Sequence, residues 1–230
     1  EKEGFYRGAL SAYKLLLESK LYADSEHRAD YLYNASRLAI LANEIDPSYD
    51  YGSRFLEGYK EHQHRLELQK LLMVTYYFTG EYKKCRSLGE QFPLAQTPQS
   101  ADLDWYLFTL GGASYYESQF VDSEKFLKQH RADFPTSEYA ETATYLYASS
   151  LGKLQQWQQA IELLDTYLTS EPKDKTYIPF AHYDKAYALY SMQKYPEAEK
   201  ELGHFQGHYR ESVIKPEAHI LLGNMYSIQR

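Results

Sequence analysis

The sequence is poor in the features that announce chemistry. It holds one cysteine, Cys85, in 230 residues, which excludes an intramolecular disulfide and a cysteine-based zinc site. Basic residues form no run longer than Lys83-Lys84, and the formal charge is −7. Binding a polyanion needs a basic stripe, so the charge argues against nucleic acid as a partner. No apolar stretch approaches the roughly 18 residues that a membrane-spanning helix needs. No signal peptide opens the chain, and a start at Glu1-Lys2-Glu3 without Met reads as processed or trimmed. The phosphate-binding loop, G-x-G-x-x-G, G-x-S-x-G and H-E-x-x-H are all missing. The chain is therefore read as not an enzyme, with no catalytic residue, no cofactor and no metal.

What the chain has in excess is tyrosine, 25 residues against 10 Phe and 2 Trp, within an ordinary 43% apolar and 25% charged composition. Tyrosine has an apolar body and a polar tip, so this excess suits thin layers in which core side chains keep one end near water. The second abundant feature is a repeat. Four segments share an apolar helical stretch, a polar break, an aromatic, a small residue three positions later and a second apolar stretch. The aromatic column is Tyr82, Phe120, Trp157 and Tyr195, and the small column after it is Cys85, Ser123, Ala160 and Ala198. Nine residues before each aromatic lie Met73, Gly111, Ala148 and Ala186. Gly223 continues that column, and its five members stand 38, 37, 38 and 37 residues apart.

Helix packing explains the columns. Two antiparallel helices approach closely only where side chains are small, so Gly or Ala in the first helix and Ala, Ser or Cys in the second mark the contact. Pro135 and Pro172 stop second helices, while Pro179 and Pro216 sit in first turns where a missing N–H is harmless. Each hairpin leaves apolar faces that only a stacked neighbour can cover. The expected fold is all-α, with repeats starting near 66, 104, 141, 179 and 216.

At these columns the sequence resembles the tetratricopeptide repeat family, whose signature places a small residue at position 8, an aromatic at 17, Ala at 20 and Pro at 32. Ala148, Trp157, Ala160 and Pro172 fit it, and Gly111, Phe120 and Pro135 follow closely. Residues 66–230 carry the resemblance. Met73 departs from the pattern, as does Lys185 where an apolar residue is expected. The resemblance implies a right-handed α-solenoid of stacked helix hairpins. The 37–38 period and the joining segment FPTSEYAETATYL resemble bacterial envelope members, the outer-membrane assembly lipoprotein and the Tol-associated coordinator. That points to periplasm or outer-membrane association ahead of the cytoplasm.

Residues 1–65 read as one degenerate repeat with capping helices. Helices are expected near 4–19 and 26–44, the second of them closing a repeat before Pro47, and a further helix from about 51 towards 79 with a break near His62.

Few candidate sites emerge. His204 and His208 share a helix face and could hold a metal, but no third ligand is evident. His62 and His64 are weaker still, and Cys85 occupies a packing column and reads as a buried, inert thiol. The resemblance places positions 2, 5, 9 and 12 of each repeat on a concave face, and those positions hold Trp105, Phe108, Tyr115, Tyr145, Phe180, Tyr183, Tyr187 and Tyr190. Aromatics with polar tips make good interface anchors. The family's carboxylate-clamp residues are largely absent. The function expected is a scaffold holding a protein or peptide partner along this face. An accessory domain of a larger enzyme and a glycan or small-ligand binder are the alternatives. The fifth unit stops at Gln229-Arg230, where a second helix is due. Ile220, Leu221, Met225 and Tyr226 are therefore expected to be uncovered, awaiting a further helix or self-association with a second copy.

Overall fold

The computed structural model describes residues 2–94 and 101–228, and among them there is no strand. The chain divides into two compact units, Glu1–Thr109 and Leu110–Arg230. The first holds α1 (Lys2–Glu18), a 3-10 turn (Lys20–Tyr22), α2 (Arg28–Leu41), α3 (Ile45–Gly58), α4 (Arg65–Phe78), α5 (Tyr82–Gln91) and the start of α6 (Ala101–Tyr116). The second holds the end of α6, then α7 (Phe120–Asp133), α8 (Ala140–Lys153), α9 (Trp157–Thr169), α10 (Ile178–Ser191), α11 (Tyr195–His208) and α12 (Lys215–Ile228).

One turn recurs between the helices of each pair. Asn43, Gly80, Ser118, Gln155 and Gln193 all have positive φ, between 58° and 81°, and each stands two residues before a second helix. The next N–H in each case reaches back five residues. Glu44, Glu81, Gln119, Gln156 and Lys194 donate to the carbonyls of Ala39, Tyr76, Ser114, Leu151 and Leu189 at 2.8–2.9 Å. This is the Schellman closure, which satisfies carbonyls that the helix end leaves open. Glycine fills the left-handed position only once, at Gly80. The other four positions carry ordinary side chains in a conformation that favours glycine.

The packing columns occupy the close contacts. Met73, Ala148 and Ala186 are fully buried, as are Cys85, Ser123, Ala160 and Ala198. A Cβ added to Gly111 would lie 2.5 Å from Leu127 Cγ, so the α6–α7 crossing admits no larger residue without moving Leu127. The aromatic at the start of a second helix packs against the ring five residues earlier at 5.8–5.9 Å: Tyr82 on Tyr77 and Phe120 on Tyr115 edge-on, and Tyr195 on Tyr190 tilted. Trp157 has Gly152 at that place, and its ring meets Tyr187 of α10 instead at 5.9 Å. Lys185, the polar departure in the pattern, is explained by its partners. Its ammonium lies 2.8 Å from both Asp165 and Glu201.

The N-terminal region differs from the expectation. The helix expected to begin near 51 begins at Ile45, and the break near His62 separates α3 from α4. Pro47 does not close a helix; it lies in the first turn of α3, where proline's missing N–H has no helical acceptor to lose. α2 is accordingly a first helix and α3 its second. Ser36 and Ser48 are fully buried at the places of the two small columns, and Ser36 stands 37 residues before Met73. Ser36 Oγ donates to the carbonyl of Ser48 at 2.8 Å across the crossing. A Cβ on Gly52 would meet Leu72 Cδ1 at 2.4 Å, so the same closeness extends from α3 to α4.

Candidate protein-binding face

The rings assigned to the inner face by repeat position divide into packed and open groups. Trp105, Phe108 and Tyr145 are 2%, 3% and 3% exposed. In the first unit, Lys70 Nζ lies 5.7 Å from the Trp105 ring and Phe108 packs edge-on against Tyr77 at 5.2 Å. In the second, Tyr145 stacks on Tyr177 at 4.7 Å and tilts against Tyr167 at 5.7 Å. These three rings hold helices together and offer no face to a partner. The expectation that they line a groove is corrected by that burial.

Tyr115 belongs with them through its hydroxyl. Ser149 Oγ donates to Asp184 Oδ2 at 2.8 Å. The Tyr115 hydroxyl, 2.9 Å from Ser149 Oγ, is therefore left to donate to it. Tyr145 OH adds a second donor to the same carboxylate oxygen at 3.3 Å. Burial pushes the Asp184 carboxyl above its ordinary range, and the Ser149 bond, the Lys153 charge and the Tyr145 bond pull it only partly back. Burial, with Asp184 next, drives Tyr145 well above the usual phenol value. This is a closed polar network that joins α6, α8 and α10, and its groups satisfy one another.

The open group lies on α10. Tyr187 is 44% exposed, and Tyr183 and Tyr190 are half-buried beside it. Tyr183, Tyr187 and Tyr190 follow the i, i+4, i+7 spacing of one helix face, with ring separations of 6.4 Å at each step. Trp157 flanks Tyr187, and Tyr195 flanks Tyr190. The result is a cluster of five partly open rings from α9, α10 and α11. Sequence analysis placed Trp157 and Tyr195 only in the aromatic column; Gly152, where the other repeats carry a ring, was the available sign that Trp157 has a different partner, Tyr187. Phe180 lies elsewhere, lining a cavity of about 540 Å³ with Pro179, Tyr209 and Val213.

The other sequence candidates are placed as follows. Cys85 is buried, its Sγ 3.8 Å from the Thr109 carbonyl, and burial pushes its thiol up to about 12. Such a group is unreactive. His64 stacks on Tyr33 at 4.5 Å, and His62 lies 3.5 Å from Asp30. His204 and His208 stack at 4.2 Å, and His182 joins them 4.5 Å from His204. Among the described residues no group of three His, Cys, Asp or Glu could hold a metal ion. No helix among them is long and apolar enough to cross a membrane. At the C-terminal end, Leu221 and Met225 are buried against α10 and α11, which corrects the expectation that they stand uncovered. Ile220 and Tyr226 are exposed.

No protein-family model matches the sequence, and no curated protein does. Solved structures do resemble the fold. MamA from AMB-1 aligns at a TM-score of 0.61 and 14% identity, over 84% of this chain and 98% of that one. MamA from Desulfovibrio magneticus RS-1 aligns at 0.58 and 12%, over 81% and 97%. A tetratricopeptide repeat protein from Parabacteroides merdae aligns at 0.56 and 13%, over 98% and 81%. The fold is that of the tetratricopeptide-type helical repeats.

Proposed function

We propose that the chain is a non-catalytic scaffold that binds a protein or peptide segment on the open aromatic face of α10. The observation that carries this is the cluster of Trp157, Tyr183, Tyr187, Tyr190 and Tyr195, whose rings are partly exposed although the repeat offers ample burial for aromatics elsewhere. Rigid rings with polar tips bury large area on binding at small entropic expense. The repeat fold shared with the neighbours above supports the reading, since such folds present helix faces side by side. Placement in a bacterial cell-envelope complex goes with it, supported by the 37–38 residue period and the segment between α7 and α8.

The test is selection of peptides from a random display library, followed by affinity measurement on variants. Tyr183→Ala with Tyr187→Ala should weaken binding by at least about 2 kcal/mol, while Gln159→Ala on α9 leaves it unchanged. Retention of full affinity by a folded double variant would remove the face from consideration.

We also propose self-association through α12. Gly223 sits in the small-residue column, yet nothing lies within 4 Å of a Cβ built there, and Ile220 and Tyr226 flank it in the open. A second copy offering the same face would close an isologous pair. Sedimentation equilibrium should show a concentration-dependent dimer that Ile220→Glu abolishes; a monomer at all concentrations excludes it.

A further inference from the structure

A second cavity in the C-terminal unit has a chemistry unlike the aromatic face. Its volume is about 550 Å³, and it lies where the segment after α9 meets α10 and the end of α11. Lys173, Lys175, His182, His204 and Tyr209 line it, with Glu171 as the one carboxylate. Neither lysine ammonium makes an ion pair among the described residues, so both are available to a ligand.

The walls organise His182 in particular. Its Nδ1 is bonded to Glu201, whose other oxygen lies 2.8 Å from Lys185 Nζ. Lys185 in turn holds Asp165 at 2.8 Å. Burial alone would raise the Glu201 carboxyl, but the bonds from His182 and Lys185 outweigh it and hold the group below its ordinary value. An ionised Glu201 accepts from the His182 Nδ1–H, which leaves Nε2 as the nitrogen for the cavity. His204 stacks against His182, and Tyr209 packs on the same ring at 5.5 Å.

We propose that this cavity binds an anionic acid group, a phosphate or a carboxylate, between the ammonium groups of Lys173 and Lys175 and the imidazoles of His182 and His204. Two lysines and two imidazoles line one concave wall with the Glu171 carboxylate, Glu141 holds the Lys173 N–H at 2.9 Å, and Glu201 fixes the orientation of the His182 ring. Such a site recognises an acid by charge-assisted hydrogen bonds rather than by apolar contact. It is independent of the aromatic face.

The binding is linked to pH. The charged groups around the imidazoles are Glu171, Lys173 and Lys175 after α9, Asp165 on α9, Lys185 on α10, and Glu201 and His208 on α11, with Asp174 tied to the Thr176 N–H and Glu141 of α8 to the Lys173 N–H, each at 2.9 Å. In the free protein His204 titrates below its ordinary value, first through burial and then through repulsion from His182 and His208. A bound anion favours the charged ring, so it raises that pKa. Affinity therefore grows as pH falls through the imidazole range and declines as pH rises, by up to about tenfold per unit for each linked proton.

The experiment follows the histidine ring resonances by NMR during titration with inorganic phosphate and, separately, with a capped tetraglutamate peptide, at pH 6 and pH 7.5. The expected result is a saturable shift of His204 and His182, tighter at pH 6, with the tighter of the two probes naming the source of the acid group. Lys173→Ala with Lys175→Ala should weaken it at least fivefold, and His204→Gln should flatten the pH dependence; both changes lie on exposed side chains that the fold tolerates. The proposal is overturned if neither probe gives a saturable shift at pH 6. It is equally overturned if the lysine variant responds like the parent protein, since the shift would then come from ionic strength alone.

Discussion

Asp184 shows how far a single residue can escape sequence reading. It was one acid among 32 Asp and Glu, and nothing in the pattern joined it to Ser149, 35 positions away, or to Tyr145. The fold brings them together because the first helices of successive repeats lie side by side, so residues at different positions of the repeat become neighbours. Burial raises the folded-state pKa of Asp184 above its unfolded value. The group therefore favours folding below the unfolded carboxylate pKa and opposes it increasingly as pH rises above that value. Asp184→Asn keeps an acceptor for Ser149 and carries no charge. Its melting temperature should exceed the parent's at pH 7, with the gap closing as pH is lowered towards 4; a gap independent of pH would show that desolvation of the charge is not the cause. Gly111, by contrast, was legible from its column alone, and the structure supplies the reason in Leu127. Gly111→Ala should destabilise the chain by about 1–3 kcal/mol through overpacking, measured by chemical denaturation. An unchanged midpoint would mean that Leu127 yields freely.

Helices and their pairing were readable because small and aromatic residues recur in phase, and a phase kept over five units leaves little freedom. The turns were not readable. Four of the five left-handed positions between the helices of a pair hold Asn43, Ser118, Gln155 and Gln193, so the usual glycine marker of a helix end is missing there. The earliest repeat escaped for a related reason: Ile45 stands where an aromatic is expected, serines fill both small columns, and Pro47 mimics a stop while lying inside a first turn. The left-handed conformation costs an ordinary residue about 1–2 kcal/mol, whereas glycine costs about 0.5–1 kcal/mol in unfolded-state entropy. Gln155→Gly or Gln193→Gly should therefore stabilise by up to about 1 kcal/mol, or roughly 2–4 °C in melting temperature for a chain of this size. Calorimetry showing a loss in both would mean that these glutamines make contacts worth more than the strain they carry.

At the scale of the whole molecule the question is how a tyrosine-rich chain divides its rings between holding itself together and meeting a partner. Repeat position could not separate these roles, because a ring at an assigned inner position is buried or open according to what the next helix presents. Tyr145 faces Ser149, Asp184 and Tyr177, and is enclosed; Tyr187 faces Trp157 and solvent. Truncating a buried aromatic costs about 3–5 kcal/mol, and at Tyr145 it also removes one of the donors to a buried carboxylate. Tyr187 loses far less, since much of its ring already meets water. Tyr145→Ala should thus lower the denaturation midpoint sharply, while Tyr187→Ala stays within about 1 kcal/mol of the parent and keeps its circular dichroism. If Tyr187→Ala instead unfolds the chain, the α10 rings are core like the rest, and the partner face must be sought elsewhere. If both variants stay fully stable, the polar network does not hold the C-terminal unit together, and its enclosed rings become open to reassignment as well.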